Sequence, residues 1–200
     1  DNHTQPESEV LKNLTRHTFA NVLQPRMLSG HFQGRLLSML SGMIKPKYIL
    51  EIGTYTGYSA MCLAEGLQEG GRLITIDVNP EQEDAIHRFI AEAGMQQKIQ
   101  FIVGDAYNII KTLPHKFDLV FIDGNHREIP TINYFNTVLP YCHNDTILIF
   151  DDIHWSEEMQ EAWEFVKNHE QVKMTIDLFE MGLVFLRKEF RQKENMQISY

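Results

Sequence analysis

From Lys47 onward, short runs of β-branched and aromatic residues alternate with segments of helical period, and this alternation leaves few architectures open. A strand that feeds a helix and then another strand returns in the same direction, so the pattern predicts a parallel sheet covered by helices. Strands are expected at 48–52, 72–76, 99–103, 118–122 and 146–150, with helices at 58–67, 80–93, 106–113, 129–139 and 156–168. Pro80 and Ser156 stand where helices start. The last two runs, 172–178 and 183–187, have only "FEMG" around their junction, too short for a helical crossover, and predict an antiparallel hairpin. The expected fold is α/β: a seven-stranded, mostly parallel sheet with helices on both faces and a C-terminal antiparallel hairpin.

Residues 1–46 form an N-terminal helical segment in which "QPRMLSGHFQG" interrupts the period at Pro25, Gly30 and Gly34. The interruption reads either as a surface loop or as a lid over a site. The main domain spans 47–188, and 189–200 reads as a polar, frayed tail.

Charge narrows the partners. With 18 Lys and Arg against 27 Asp and Glu, the net charge of −9 repels phosphate backbones, so no nucleic-acid partner is expected. No run of 18 apolar residues or basic-then-apolar leader is present, which predicts a cytoplasmic protein with no membrane partner. Cys62 and Cys142 lack metal-ligand spacing and read as plain thiols.

The first strand runs into "LEIGTYTGYSA", residues 50–60, where two glycines and small hydroxyl residues precede a helix. In open α/β sheets ligands bind beyond the carboxyl ends of strands, and Gly53 and Gly57 would let the backbone approach one closely. The G-x-x-x-G spacing is neither the dinucleotide G-x-G-x-x-G nor a phosphate loop, and alone it equally suits a plain turn. Asp77 ends the next strand, 24 positions after Gly53, where a carboxylate can accept hydrogen bonds from both hydroxyls of a ribose. Together they point to a nucleoside-type ligand.

"E-I-G-x-x-x-G" followed by this acidic strand end resembles the S-adenosylmethionine (SAM) site of the Rossmann-like class I methyltransferases, which share the terminal hairpin. Over about residues 25–188 the chain is similar to the catechol and caffeoyl-CoA type O-methyltransferases. The resemblance implies that Met27 and Ser29 of "MLSGHFQG" line the methionine moiety of SAM and that the Ser59 hydroxyl holds its carboxylate. It places Glu51, Gly53, Tyr55 and Gly57 of the glycine turn, Asp77 and Val78 of the second strand end, and Asp123 at the donor. Gly104, Asp105 and Ala106, the "GDA" after the third strand, fall where the family contacts adenine. It also suggests a homodimer.

Asp123 closes strand four in "VFIDGNH", and Asp151 and Asp152 close strand five in "LIFDDIHW". With these ends neighbouring, three carboxylates would converge, an oxygen-only set that suits Mg²⁺ or another hard divalent cation. In the resembling family two Asp and one Asn at these positions bind a divalent metal that chelates the acceptor's hydroxyls. Here Asp152 replaces the Asn and adds a negative charge, and an Asp after a strand also serves as a helix cap. His126 lies three residues after Asp123, where the family places a lysine that helps deprotonate the acceptor. An imidazole with an ordinary pKa of about 6.5 suits a general base, with Asp123 as its catalytic neighbour.

"FIDGNHREIP" with "LIFDDIHW" also resembles a broader bacterial group of SAM methyltransferases marked by D-G-x-H. His154 and Trp155 either wall the acceptor pocket or pack, and Glu180 and Met181 border the same place. His31, His87, His143 and His169 have no ligand spacing. "EEMQEAWEFVKNHE" reads as a surface helix with Met159, Ala162, Phe165 and Val166 inward.

The function these readings imply is SAM-dependent methyl transfer to a hydroxyl of a small, aromatic or otherwise hydroxylated acceptor, with a divalent cation assisting. The alternatives are a metal-independent SAM methyltransferase, a nucleotide-binding oxidoreductase, and a SAM-binding module without catalysis.

Overall fold

Strands form where β-branched residues crowd the sequence, and the second of them, "RLITID", buries every residue from Leu73 to Ile76. The computed structural model describes residues 4–198, in two compact units. One contains the chain up to Ile49 and Thr54–Gly104; the other contains Leu50–Gly53 and the chain from Asp105 onward.

The first unit holds helices α1 (Glu9–Asn21) and α2 (Gly30–Ile44), the start of strand β1 (Tyr48–Ile52), α3 (Tyr58–Ala64), β2 (Arg72–Asp77), α4 (Glu83–Glu92) and β3 (Ile99–Val103). Its strand order is β3-β2-β1. β2 and β3 run parallel, from Leu73 opposite Ile99 to Asp77 opposite Val103. Ser8 starts α1 by accepting the Leu11 N–H, and α1 and α2 bury Leu11, Leu14 and Leu37.

Two details of this unit depart from the sequence reading. Pro25 sits in a 3-10 turn and Gly30 opens α2 at φ +73°, but Gly34 does not interrupt that helix. A Cβ at Gly34 would stand 2.6 Å from Tyr58 Cε1 and 2.8 Å from Cys62 Sγ, so the glycine lets α2 approach α3. α4 begins at Glu83 rather than Pro80, because the Asn79 side chain accepts the Glu81 N–H and shapes a separate turn.

The second unit holds the rest of β1, α5 (Ala106–Ile110), β4 (Phe117–Ile122), α6 (Glu128–Val138), β5 (Cys142–Asp151), α7 (Glu157–Asn168), β6 (Met174–Asp177), β7 (Met181–Phe185) and β8 (Glu194–Gln197). Its strand order is β1-β4-β5-β7-β6-β8. β4 and β5 are parallel, whereas β7 runs antiparallel to both β5 and β6, which is the expected hairpin. Phe117, Phe121, Phe135 and Phe150 are fully buried in its core. On α7 the buried residues are Met159, Ala162, Trp163 and Val166; Phe165, expected inward, is exposed and meets Phe135 edge-on.

The described residues thus contain eight strands rather than seven. β8 lies in the stretch expected to fray and pairs parallel with β6, helped by a 2.7 Å hydrogen bond from Thr175 Oγ1 to Asn195 Oδ1. All four β8 residues are exposed, so the strand forms through its ladder without an apolar pattern to announce it. No helix among the described residues is long and apolar enough to cross a membrane.

Candidate functional site

The glycine turn in the first unit is fastened by Asp77. Its Oδ2 accepts the N–H groups of Thr54 (3.0 Å) and Tyr55 (2.9 Å), and its Oδ1 accepts that of Asn79 (2.9 Å). A buried Thr54–Thr75 hydroxyl contact of 2.5 Å and the Gly57 N–H on the Thr54 carbonyl (2.8 Å) complete the turn. Gly57 takes φ +88° and Tyr55 φ +51°, the latter a left-handed conformation that costs a non-glycine residue about 1–2 kcal/mol. The Tyr55 hydroxyl donates to the Gln24 carbonyl (2.8 Å), tying the turn to the segment that carries Met27; burial raises the Tyr55 pKa and keeps it a donor.

Other sequence-predicted donor residues of this unit differ in setting. Ser59 is buried in the first turn of α3, while Met27 and Val78 are exposed. Ser29 precedes α2 without a side-chain cap bond. The Gly104 N–H reaches the Asp77 carbonyl (2.8 Å).

In the second unit Gly53 follows β1 at φ +98°, against the residue that follows β4. A Cβ there would stand 1.9 Å from the Asp123 carbonyl oxygen, and the Asp123 N–H donates to the Ile52 carbonyl at 2.9 Å. Only glycine permits this approach of the two strand ends. Glu51 is fully buried two residues earlier. Asp105 caps α5 by accepting the Asn108 N–H (2.9 Å), and Ala106 is buried behind it.

His126 joins the two strand-end carboxylates. Its Nε2 lies 3.0 Å from Asp123 Oδ1 and its Nδ1 3.2 Å from Asp152 Oδ2. Each N···O line needs one hydrogen, so the ring cannot satisfy both carboxylates as ions unless both of its nitrogens are protonated; otherwise one of the two carboxyls holds a proton. Burial pushes the Asp152 carboxyl above its ordinary value, with His126 partly offsetting it. Asp152 has φ +54°, and its carbonyl accepts the Trp155 N–H (2.9 Å), which fixes the loop after β5. Asp151 remains in the β5 ladder opposite Met181, largely buried.

The expected metal set of Asp123, Asp151 and Asp152 is not assembled as such. Among the described residues no three His, Cys, Asp or Glu side chains are grouped to hold an ion. Two of the three carboxylates instead meet on an imidazole, so the residues as arranged do not fit a divalent cation.

A second histidine pair went unseen in the sequence. His154 Nε2 lies 2.8 Å from Asp177 Oδ2, and Asp177 Oδ1 accepts the Phe179 N–H at 2.8 Å. Phe179, at φ +73°, sets its ring 5.7 Å from the His154 ring. With the Ile153 N–H on the Glu180 carbonyl (3.4 Å), these contacts join the loop after β5 to the β6–β7 turn. The available signal was an acidic residue at the end of β6, beside the histidine that follows β5.

An O-methyltransferase family model matches residues 1–199. Among sequence relatives, a caffeoyl-CoA O-methyltransferase of Stellaria longipes is 28% identical over 82% of this chain and 70% of its own length. A catechol O-methyltransferase of Niastella koreensis is 32% identical over 60% of this chain, which spans only 56% of that relative. The O-methyltransferase TomG of Streptomyces achromogenes, solved with SAM, superposes with a TM-score of 0.79 at 26% identity, covering 91% of each chain. The methyltransferase PaMTH1 of Podospora anserina, solved with S-adenosylhomocysteine, shares the fold at a TM-score of 0.83 and 20% identity, over 94% of this chain and 92% of its own. The turn fastened by Asp77 and the histidine held by two strand-end carboxylates therefore stand in a chain that belongs to the O-methyltransferase family.

Proposed function

We propose that this chain transfers the methyl group of SAM to a hydroxyl of a small acceptor, with phenols and catechols the first class to test. The observation that carries the reading is the imidazole of His126, held through Nε2 by Asp123, in a member of this family. With Nε2 donating to Asp123, Nδ1 can accept a proton where the acceptor hydroxyl replaces Asp152 Oδ2 as its partner, the arrangement by which a carboxylate orients a histidine base.

SAM supplies a sulfonium-bound methyl group that is displaced in line by an oxygen nucleophile. The protein's part is to hold donor and acceptor in register and to take one proton. Asp77 and the Gly53–Gly57 turn engage the ribose and methionine portions, with Met27, Ser29 and Ser59 along the methionine and Gly104 to Ala106 at the adenine. Having replaced Asp152 Oδ2 at Nδ1, the acceptor hydroxyl gives its proton to His126 as the oxygen–methyl bond forms and the methyl–sulfur bond breaks. Asp123 and Asp152 then balance the positive charge left on the ring. The same reading has the chain acting as a cytoplasmic homodimer with no nucleic-acid or membrane partner, in keeping with its net charge of −9.

The test is incubation with methyl-labelled SAM and a panel of phenols, catechols and aliphatic alcohols. Label on a hydroxyl oxygen supports the assignment. Saturable SAM binding with no label on any acceptor would reduce the chain to a SAM-binding module.

A further inference from the structure

We propose that His126 takes the place of a divalent cation between Asp123 and Asp152, so that methyl transfer by this chain proceeds without a metal. The inference rests on the O-methyltransferase reading, in whose family a metal is expected at these strand ends.

Space carries the argument first. A hard divalent cation such as Mg²⁺ binds carboxylate oxygens at about 2.0–2.1 Å and needs both as bare acceptors. Here Asp123 Oδ1 and Asp152 Oδ2 each face a ring nitrogen of one imidazole, at 3.0 and 3.2 Å, and the ring fills the space between them. An ion bridging these two oxygens would have to expel the ring. His126 is also tethered closely, three residues from Asp123.

The remaining candidate ligand does not complete a set. Asp151 stays in the β5 ladder opposite Met181, and no three candidate ligands are grouped among the described residues. Asp152 is fixed by its left-handed backbone and by the Trp155 N–H on its carbonyl. The bridged arrangement is therefore built by both strand ends.

The substitution is chemically coherent. In a metal-assisted reaction the ion orients the acceptor oxygen and favours its deprotonation. A histidine held at Nε2 by Asp123 offers both services once the acceptor hydroxyl replaces Asp152 at Nδ1: it orients the hydroxyl and receives its proton.

The test pairs Mn²⁺ titration, followed by electron paramagnetic resonance, with methyl transfer from labelled SAM to catechol after exhaustive chelation. The full chain and a His126→Ala variant, shown folded by circular dichroism, are compared. The wild-type chain is expected to take up no stoichiometric Mn²⁺ at micromolar concentrations, and its rate is expected to change less than twofold on chelation. His126→Ala, with the carboxylates released, is expected to gain saturable Mn²⁺ binding. Stoichiometric Mn²⁺ uptake by the wild type, or a rate that falls tenfold on chelation and returns with Mg²⁺, overturns the proposal. A folded His126→Ala chain that also takes up no Mn²⁺ overturns it too, since the carboxylates are then no seat for a cation. Absence of transfer under every condition counts against the O-methyltransferase reading alone, because Mn²⁺ uptake is read independently of turnover.

Discussion

His126 and Asp152 face each other across 3.2 Å, Nδ1 to Oδ2, although one follows β4 and the other follows β5. The parallel pairing of β4 with β5, Ile122 opposite Phe150, brings these ends side by side. A proton-accepting group thus comes to rest beside a second carboxylate as a consequence of sheet topology.

The Asp152 pair has a consequence for pH. A carboxyl whose pKa is raised in the folded state holds its proton more tightly folded than unfolded, so stability falls as pH rises from the ordinary carboxyl range toward the raised value. Asp152→Asn removes that dependence, and Asn tolerates φ +54° well. Urea melts at pH 4 and pH 7 should show a smaller pH difference for the variant and no loss of stability at pH 7. A variant less stable at pH 7 by 2 kcal/mol or more would mean that the ionised pair with His126 holds the loop.

Gly53→Ala should be among the most damaging single changes in the chain. The new Cβ would meet the Asp123 carbonyl at 1.9 Å in a backbone at φ +98°, so the β1 and β4 ends must separate. We expect a loss of about 3 kcal/mol or more, read by denaturant unfolding; a loss below 1 kcal/mol would show that the contact yields easily.

Asp77→Ala removes the acceptor for three backbone N–H groups as well as the proposed ribose contact. SAM affinity should fall at least a hundredfold by calorimetry, with unfolding weakened by about 1–3 kcal/mol. Unchanged affinity would remove Asp77 from the donor site.

Both cysteines are buried, and burial pushes the Cys142 thiol up to about 12. Since the thiolate is the reactive form, neither should be alkylated by iodoacetamide at pH 8 in the native chain, and both should react in urea. Mass spectrometry showing native modification of Cys142 would contradict its packing.

Much of this was legible in the sequence because hydrophobic period reports burial directly. The strands from Tyr48 to Phe150 and the hairpin follow from apolar runs, and Ser156 does accept the Met159 N–H at the start of α7. β8 escaped because its ladder is exposed and polar, and Gly34 misled because its reason is the approach of Tyr58 and Cys62, a tertiary fact. Among the site residues, the convergence of Asp123, Asp151 and Asp152 at neighbouring strand ends was expected, as was His126 close to Asp123, but not that the ring would join Asp123 to Asp152. Their meeting depends on side-chain direction at two strand ends, which spacing does not encode. Asp177 was hidden inside an expected strand, and only its pairing with His154 reveals it.

The most direct measurement is the rate of methyl transfer from labelled SAM to catechol by the wild-type chain and by His126→Asn at neutral pH. A positioned general base contributes about 10²–10⁴ in rate, so the account predicts labelled O-methyl product from the wild type and a fall of at least a hundredfold in kcat for the variant, with SAM affinity unchanged. Full activity in His126→Asn would contradict the role assigned to this histidine.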